Sequence, residues 1–371
     1  MRSTRMSSKM KGAGAVPNGQ TPADLGFSMP AEWAEHESTW LSWPKNPETF
    51  PPEVVSRVEE VYVEMIEALA RGERVDLLVD DDRTEDRVMS KLSARNVRFH
   101  IIKSADVWIR DYGPIFVKRE GGGRASIAAT KWKFNAWGNK YDDLLEDNAT
   151  GWEVARSTGL RTFEAGVVLE GGSIDVNGRG TLLTTEQCLL NKNRNPHLGK
   201  AELEELLRDY LGVSSVVWLD AGIEGDDTDG HVDDVARFVD ENTVICMAER
   251  DPGDANLKAL ERDQAILKRH RDDQGRRLEV VPIAMPREVG AEGGRLPASY
   301  ANFYVGNSAV LVPVFGEARS DSAALETLSE FFHRRKMVPV DCRDLVYGFG
   351  GIHCVTQQQP RSSPSGSPSS A

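Results

Sequence analysis

Apolar positions along this chain switch repeatedly between two periods. Spacings of three and four residues predict helices over 52–71, 83–95, 199–211, 254–273 and 321–335. Charged residues four apart on the last two suit solvated faces. Alternating or continuous apolar runs between the helices predict strand pairs. GPIFVKREGGGRASIAAT folds back around 121–123, and GGSIDVNGRGTLLTT turns at Asn177-Gly178. HVDDVARFVDENTVICMAE turns near Glu241-Asn242, and ANFYVGNSAVLVPVF turns at Gly306-Asn307.

Polar residues with chemical potential stand at the starts of these hairpins. Asp111 precedes GPIFV, Glu170 precedes GGSIDV, and His231 precedes VDDVARFV. Their separations are 59 and 61 residues, and His231 to Cys354 is 123, close to twice that step. The skipped position falls near Ser299–Asn302, at the fourth hairpin, and STWLSWP (38–44) opens an earlier unit. The pattern predicts five units of roughly 60–70 residues, each a strand pair plus a helix. In a closed ring, such units bring their hairpin starts to one central place. An ordinary α/β sheet with coincidental spacing is the alternative.

The termini look different. Residues 1–25 and the tail from Pro360 (PRSSPSGSPSSA) are rich in Ser, Pro and Gly, and are expected to be disordered around one domain over 26–359. No apolar run approaches the ~20 residues that span a bilayer, and the polar N-terminus lacks the apolar segment of a secretory signal. Cysteines at 188, 246, 342 and 354 show neither metal-type pairing nor a disulfide framework, which points to a reducing cytoplasm. The net charge of -13 argues against nucleic acid as a partner. It favours a small cation, although acidity also serves solubility.

One chemistry suits the remaining polar residues. A guanidinium is planar and permanently charged, and its fork of donors matches carboxylates. Attack on its poorly electrophilic carbon needs a strong nucleophile such as a thiolate, and a histidine can shuttle the protons. Cys354 lies in YGFGGIHCVTQQQP, where Gly348, Gly350 and Gly351 allow close backbone approach to a ligand. A buried, inert thiol is the competing reading, and it is the one given to Cys188, Cys246 and Cys342. His353 is assigned to packing, because strand neighbours point to opposite faces. His231 and Asp233, two apart on a strand, would face one cavity while Asp234 points away. Asp226, Asp227 and Asp229 read as a solvated loop. Asp111 and Trp108 flank a turn, pairing a carboxylate with an aromatic wall suited to a flat cation. Glu170 follows an apolar run and needs a buried partner, either His231 or a substrate cation.

Together VWIRDYGPIF, KFNAWG, LEGGSIDVNGRGTLLTTEQCLLNKNRNP, TDGHVDDVARF, SYANFYV and GGIHCVTQQQP resemble the agmatine deiminase family, also labelled bacterial-type peptidylarginine deiminases. The resemblance runs from about Gly26 to Pro360. It implies a pentein fold, a five-bladed α/β propeller of pseudo-repeated ββαβ units. It implies Cys354 as nucleophile, His231 as general acid/base, Asp111 and Asp233 as the carboxylates gripping the guanidinium, and Glu170 as support for the histidine and a substrate contact. Trp108 is the implied aromatic wall, and Gly351 joins Trp108, Asp111 and Asp233 among the substrate-binding residues. No metal or organic cofactor is implied, and a homo-oligomer is left open. The chain departs from the family at Phe349 in the glycine run and after Gly138 (FNAWGNKYDDLLEDN), both where a substrate tail would be selected.

The implied reaction is hydrolysis of agmatine to N-carbamoylputrescine and ammonia through a thiouronium on Cys354. Free or peptidyl arginine is the alternative substrate, and a free α-carboxylate would call for a basic residue at the pocket mouth. An amidinotransferase would pass the same intermediate to an amine. A non-catalytic pentein that only binds is the rival from another class.

Overall fold

The computed structural model describes residues 19–121, 123–291 and 294–362. Of the six sheets among the described residues, one is a short pair, Gly290–Ala291 with Gly294–Arg295, and the other five share one recurring plan: an antiparallel pair, then a helix, then a strand parallel to the second. In one unit Ile115–Lys118 pairs antiparallel with Ile127–Lys133, helix Asp147–Thr158 follows, and Arg161–Val168 adds in parallel. The next units repeat this with helices Lys200–Leu211, Leu257–Arg269 and Ala318–Ser329. In the last sheet the C-terminal strand Gln357–Pro360 pairs antiparallel with His36–Ser42, so the two ends of the chain close the ring. Helix Pro52–Leu69 and strand Arg74–Val79 complete that unit, and Asp82–Lys91 and Val97–Ile101 extend it. This is the ββαβ propeller that the sequence resemblance implied.

Local sequence explains the elements. Second strands such as TVICMA (243–248) and AVLVPV (309–314) are buried almost throughout, so they read as continuous β-branched runs. Helix Pro52–Leu69 buries Val54, Val58, Val61, Tyr62, Met65, Ile66 and Leu69 along one stripe, each such burial contributing about 1.5–3 kcal/mol. Helix Asp147–Thr158 was absent from the periodicity reading. Its inner face is built from Asp147, Thr150, Gly151, Val154, Ala155 and Thr158, so Val154 is the one sizeable apolar side chain on it. A Cβ on Gly151 would sit 1.9 Å from the Tyr112 carbonyl oxygen, so close packing here excludes a larger side chain.

The expected termini shift slightly. Residues 1–18 and 363–371 lie outside the described residues, but 19–25 are described and include a turn at Ala23–Leu25. Pro360 belongs to the closing strand, and the Arg361 amide donates to Glu35 O at 2.7 Å. No helix among the described residues is long and apolar enough to cross a membrane.

Candidate functional site

Each of these five sheets is preceded by a short turn that points toward the ring axis. These are Ile109–Tyr112, Gly171–Ser173, Val232–Asp234, Tyr300–Asn302 and the turn at 352–355. Hydrogen bonds join four of the five neighbouring pairs of turns. The Arg110 amide donates to Cys354 O, the Gly172 amide to Asp111 Oδ1 (2.9 Å), Asn302 Nδ2 to Asp234 Oδ1 (2.9 Å), and the His353 amide to Asn302 Oδ1 (2.8 Å). The fourth turn therefore fills the skipped position of the sequence pattern, and Asn302 is its polar residue.

The floor of the central cavity (about 320 Å3) includes Asp111 and Cys354, and Trp108 and Trp137 stand among its walls. His231, Asp233 and Glu170 lie behind, fully buried. His231 Nδ1 is 3.9 Å from Asp111 Oδ1, and Cys354 Sγ is 3.8 Å from Asp233 Oδ2. A Cβ built on Gly172 would come within 3.0 Å of three groups at once: His231 Nδ1, Asp233 Oδ2 and Asp111 Oδ1. The imidazole and both carboxylates thus converge on a space that only glycine leaves open. Four buried polar atoms here have no partner: Glu170 Oε2, His231 Nδ1, His231 Nε2 and Asp233 Oδ1. Unsatisfied buried groups are costly, and a cluster of them facing one space is built for a ligand that supplies the missing donors.

Electrostatics tune the same atoms. Burial raises the Asp111 carboxyl to about 7, helped by nearby Glu170. Burial and the Asp111 charge push Asp233 well above the usual carboxylate range. Burial, then Asp233, Asp234 and Asp111, push the Cys354 thiol well up, opposed by the Gly351 amide. Burial and Arg194 hold His231 well below the usual imidazole range. The empty site therefore holds a neutral thiol and a neutral imidazole among crowded acids. An incoming cation relieves that crowding and favours the thiolate. Iodoacetamide should accordingly alkylate Cys354 slowly near neutral pH, with a rate still climbing beyond about pH 9. A rate that levels off near neutrality would show a thiolate already present in the empty site.

Several sequence readings need correction. His231 and Asp233 do not share the face of a strand; a 3-10 turn carries Asp233, and His231 sits at its start. Asp234 does not point away to solvent but is buried against Asn302, with a carboxylate oxygen within 4.8 Å of Cys354 Sγ. Asp226, Asp227 and Asp229 are not a solvated loop. Asp226 accepts from the His231 amide (2.8 Å), Tyr141 donates to Asp227, and Asp229 accepts from Asn193 Nδ2 (2.9 Å). Gly351 does not line the cavity, because its Cβ position faces Asn302 Oδ1 at 2.5 Å. Gly348 and Gly350 do line it, and a Cβ on either would collide with Phe50 or the Trp108 ring, so these two glycines bring backbone to the cavity wall. Residues 352–355 form a turn, not a strand, although His353 is buried as expected.

Some site residues had no spacing signal. Arg194 donates Nε to Glu170 Oε1 (2.7 Å), so it, not His231, is the glutamate's direct partner. Trp137 donates Nε1 to Asp111 Oδ2 (2.9 Å) from a segment in which Ala136, Trp137 and Asn139 all adopt positive φ. Such strain in non-glycine residues marks a position held for function. Both residues lie in quoted motifs, NKNRNP and KFNAWG, but nothing in their spacing gives them a role.

Comparison with known proteins agrees with this geometry. The Porphyromonas-type peptidyl-arginine deiminase family matches residues 28–360. An agmatine deiminase of Stutzerimonas stutzeri is 37% identical over 365 residues, covering 92% of this chain and 97% of that protein. The agmatine deiminase of Medicago truncatula is 36% identical over 374 residues, covering 92% and 98%. The solved agmatine deiminase of Enterococcus faecalis superposes with a TM-score of 0.86 at 31% identity, covering 94% of this chain and 99% of that one. On fold, on the converging site and on sequence, the chain belongs to the agmatine deiminase family, the group of Porphyromonas-type peptidyl-arginine deiminases.

Proposed function

We propose that this chain hydrolyses agmatine to N-carbamoylputrescine and ammonia, with Cys354 as nucleophile and His231 as proton carrier. The carrying observation is the convergence of His231 Nδ1, Asp233 Oδ2 and Asp111 Oδ1 on one space near Cys354, with a second oxygen of Asp233 left unpartnered, which matches a flat cation rich in N–H donors. Asp111 and Asp233 hold the guanidinium, and Trp108 flanks it. As the cation settles, the Cys354 thiol gives its proton to His231 and its sulfur bonds to the guanidinium carbon. His231 then passes that proton to the departing nitrogen, ammonia leaves, and a thiouronium remains on sulfur. Water, losing a proton to His231, attacks the same carbon, and the C–S bond breaks to release the ureido product. Glu170, fixed by Arg194, supports the imidazole. Asn302 Nδ2, 3.2 Å from Sγ, stabilises the thiolate at both ends of the cycle.

The mouth of the cavity favours agmatine over free arginine. Glu48, Asp143 and Asp227 line it. Among the described lining residues the basic one is Arg295, and its Nη1 is already committed to Asp254 at 2.7 Å. A tail ending in an ammonium meets carboxylates there, whereas an α-carboxylate meets like charge. Ammonia release should therefore be measured side by side with agmatine, arginine and an arginyl peptide. The expected kcat/KM for agmatine exceeds that for arginine by about 10²-fold or more, since the added α-carboxylate of arginine meets like charge at a cost of several kcal/mol. Equal or better turnover of arginine or the peptide would overturn the assignment of substrate but not of chemistry.

A further inference from the structure

Behind the cation site lies a buried hydrogen-bonded chain that the reaction as written does not use. Asp233 Oδ2 faces Nδ1 of His353 at 2.7 Å, and Nε2 of that ring faces Glu32 Oε2 at 2.9 Å. All three side chains are buried. A neutral imidazole has a single N–H, so it cannot donate to two ionised carboxylates. Either the ring is an imidazolium or one carboxyl keeps its proton.

The surroundings of the two acids differ sharply. Glu32 Oε2 is 3.0 Å from Arg237 Nη2 and 3.4 Å from Arg110 Nη2, and Oε1 accepts the Val305 amide at 2.8 Å. Burial opposes its charge, but Arg237, His353 and Arg110 outweigh that and keep its carboxyl well below the usual range. Asp233 faces Asp111, Asp226, Asp234 and the Cys354 sulfur, and burial with Asp111 and Asp226 outweighs Arg237 and Arg110, which favour its charge. Burial, then Arg110 and Arg237, hold His353 well below the usual imidazole range. In the empty site, then, Nε2–H donates to ionised Glu32, and protonated Asp233 donates O–H to Nδ1.

We propose that His353, backed by Glu32, is a buried proton store for Asp233: when a guanidinium settles on the acids, the Asp233 proton crosses the hydrogen bond to Nδ1, and it returns when the uncharged ureido group leaves. The proton moves from one oxygen to one nitrogen, and nothing is exchanged with water. The imidazolium so formed lies between two carboxylates. Asp233 is thereby neutral when empty and anionic when the cation needs it. This rests on the reading that Asp233 holds the substrate cation. His353 acts through Asp233 and is a positioning residue, without contact to the reacting carbon.

The test measures proton linkage, using full-length protein with Cys354→Ala so that agmatine binds without turnover. Above about pH 7.5 Asp111 is largely ionised, so agmatine affinity should change less than about threefold to pH 8.5. Adding His353→Gln removes the store. Affinity should then rise about tenfold over that interval, and calorimetry in two buffers should count about one more proton released per agmatine. An unchanged slope and proton count would overturn the proposal alone. Failure of the Cys354→Ala protein to bind agmatine at any pH would overturn the cation reading and the proposal with it. Should His353→Gln not fold, 15N-histidine NMR on Cys354→Ala decides. One ring should pass from neutral to imidazolium on adding agmatine, and the change should survive His231→Asn. No change, or an imidazolium present without agmatine that stays the same, overturns it.

Discussion

Cys354→Ala should remove ammonia release from agmatine while leaving the fold and agmatine binding intact. Loss of a nucleophile that acts with a paired base costs about 10⁴-fold or more in kcat, because no second group can form the covalent bond. Local structure favours a folded variant. Cys354 sits in a turn fixed by main-chain bonds, with the Arg110 amide donating to its carbonyl and the His353 amide to Asn302. Its thiol accepts the Asn302 amide N–H, which keeps Asp234 as a second acceptor, and its own contacts as donor, to Asp233 Oδ2 at 3.8 Å and Asn302 Oδ1 at 3.7 Å, are long and weak. Removing one buried sulfur costs about 1–2 kcal/mol of packing, well inside the margin of a domain this size. Unchanged melting and retained agmatine binding, with turnover below detection, is the expected set of results. Intact-mass analysis should also find wild-type protein carrying a transient adduct on Cys354 that the variant lacks. Turnover within about tenfold of wild type would end the assignment, since the other three cysteines are buried and none lines the cavity.

Much of this molecule was legible in the sequence because both of its periodicities are local. Five helices and four hairpins followed from apolar spacing, and hairpin starts about 60 residues apart anticipated that the turns meet. The helix at Asp147–Thr158 was hidden because close packing there selects Gly151 and buries Asp147, which accepts the amides of Ala105 and Asp106. Side-chain direction was harder still. Strand alternation turned both His231 and Asp233 inward for the wrong reason, and it sent Asp234 out, because a 3-10 turn can gather neighbouring side chains on one side. The glycine run was legible in part, since Gly348 and Gly350 line the cavity and Gly351 does not. Its missing side chains make room for Trp108, Phe50 and Asn302, and a sequence does not say whether a close neighbour is ligand or protein. Glu32 carries the clearest lesson. It lies near the start of the family resemblance but at no hairpin start, and no spacing gives it a role, yet it touches Arg110, Arg237 and His353, since ring closure brings the N-terminal segment under the axis.

His231→Asn should produce the second large effect, and its signature differs from that of the nucleophile. The ring makes no hydrogen bond through either nitrogen in the empty site, so it does not hold its neighbours in place. The backbone of the turn is secured separately, by Asp226 Oδ2 accepting the His231 amide at 2.8 Å and by the Val235 amide bonding to Val232 O. The variant should therefore fold. Its cation site keeps Asp111, Asp233 and Trp108, so KM for agmatine should move by less than about threefold. What disappears is a base able to take the thiol proton and return it to the leaving nitrogen. An asparagine amide neither gains nor loses a proton in the working range, so kcat should fall by about 10²–10⁴-fold. Both halves of the reaction suffer, because water attack needs the same base. The pH profile gives the sharper check. His231 is held neutral by burial and Arg194, so in wild type it is free to accept a proton down to well below the ordinary imidazole range. Turnover in wild type should fall on the acid side as His231 and the acids become protonated. In the variant, hydroxide must replace the base, and the residual rate should climb with pH to the alkaline limit of stability. A variant with wild-type kcat and a raised KM would recast His231 as a binding group, and the proton route would then have to run elsewhere.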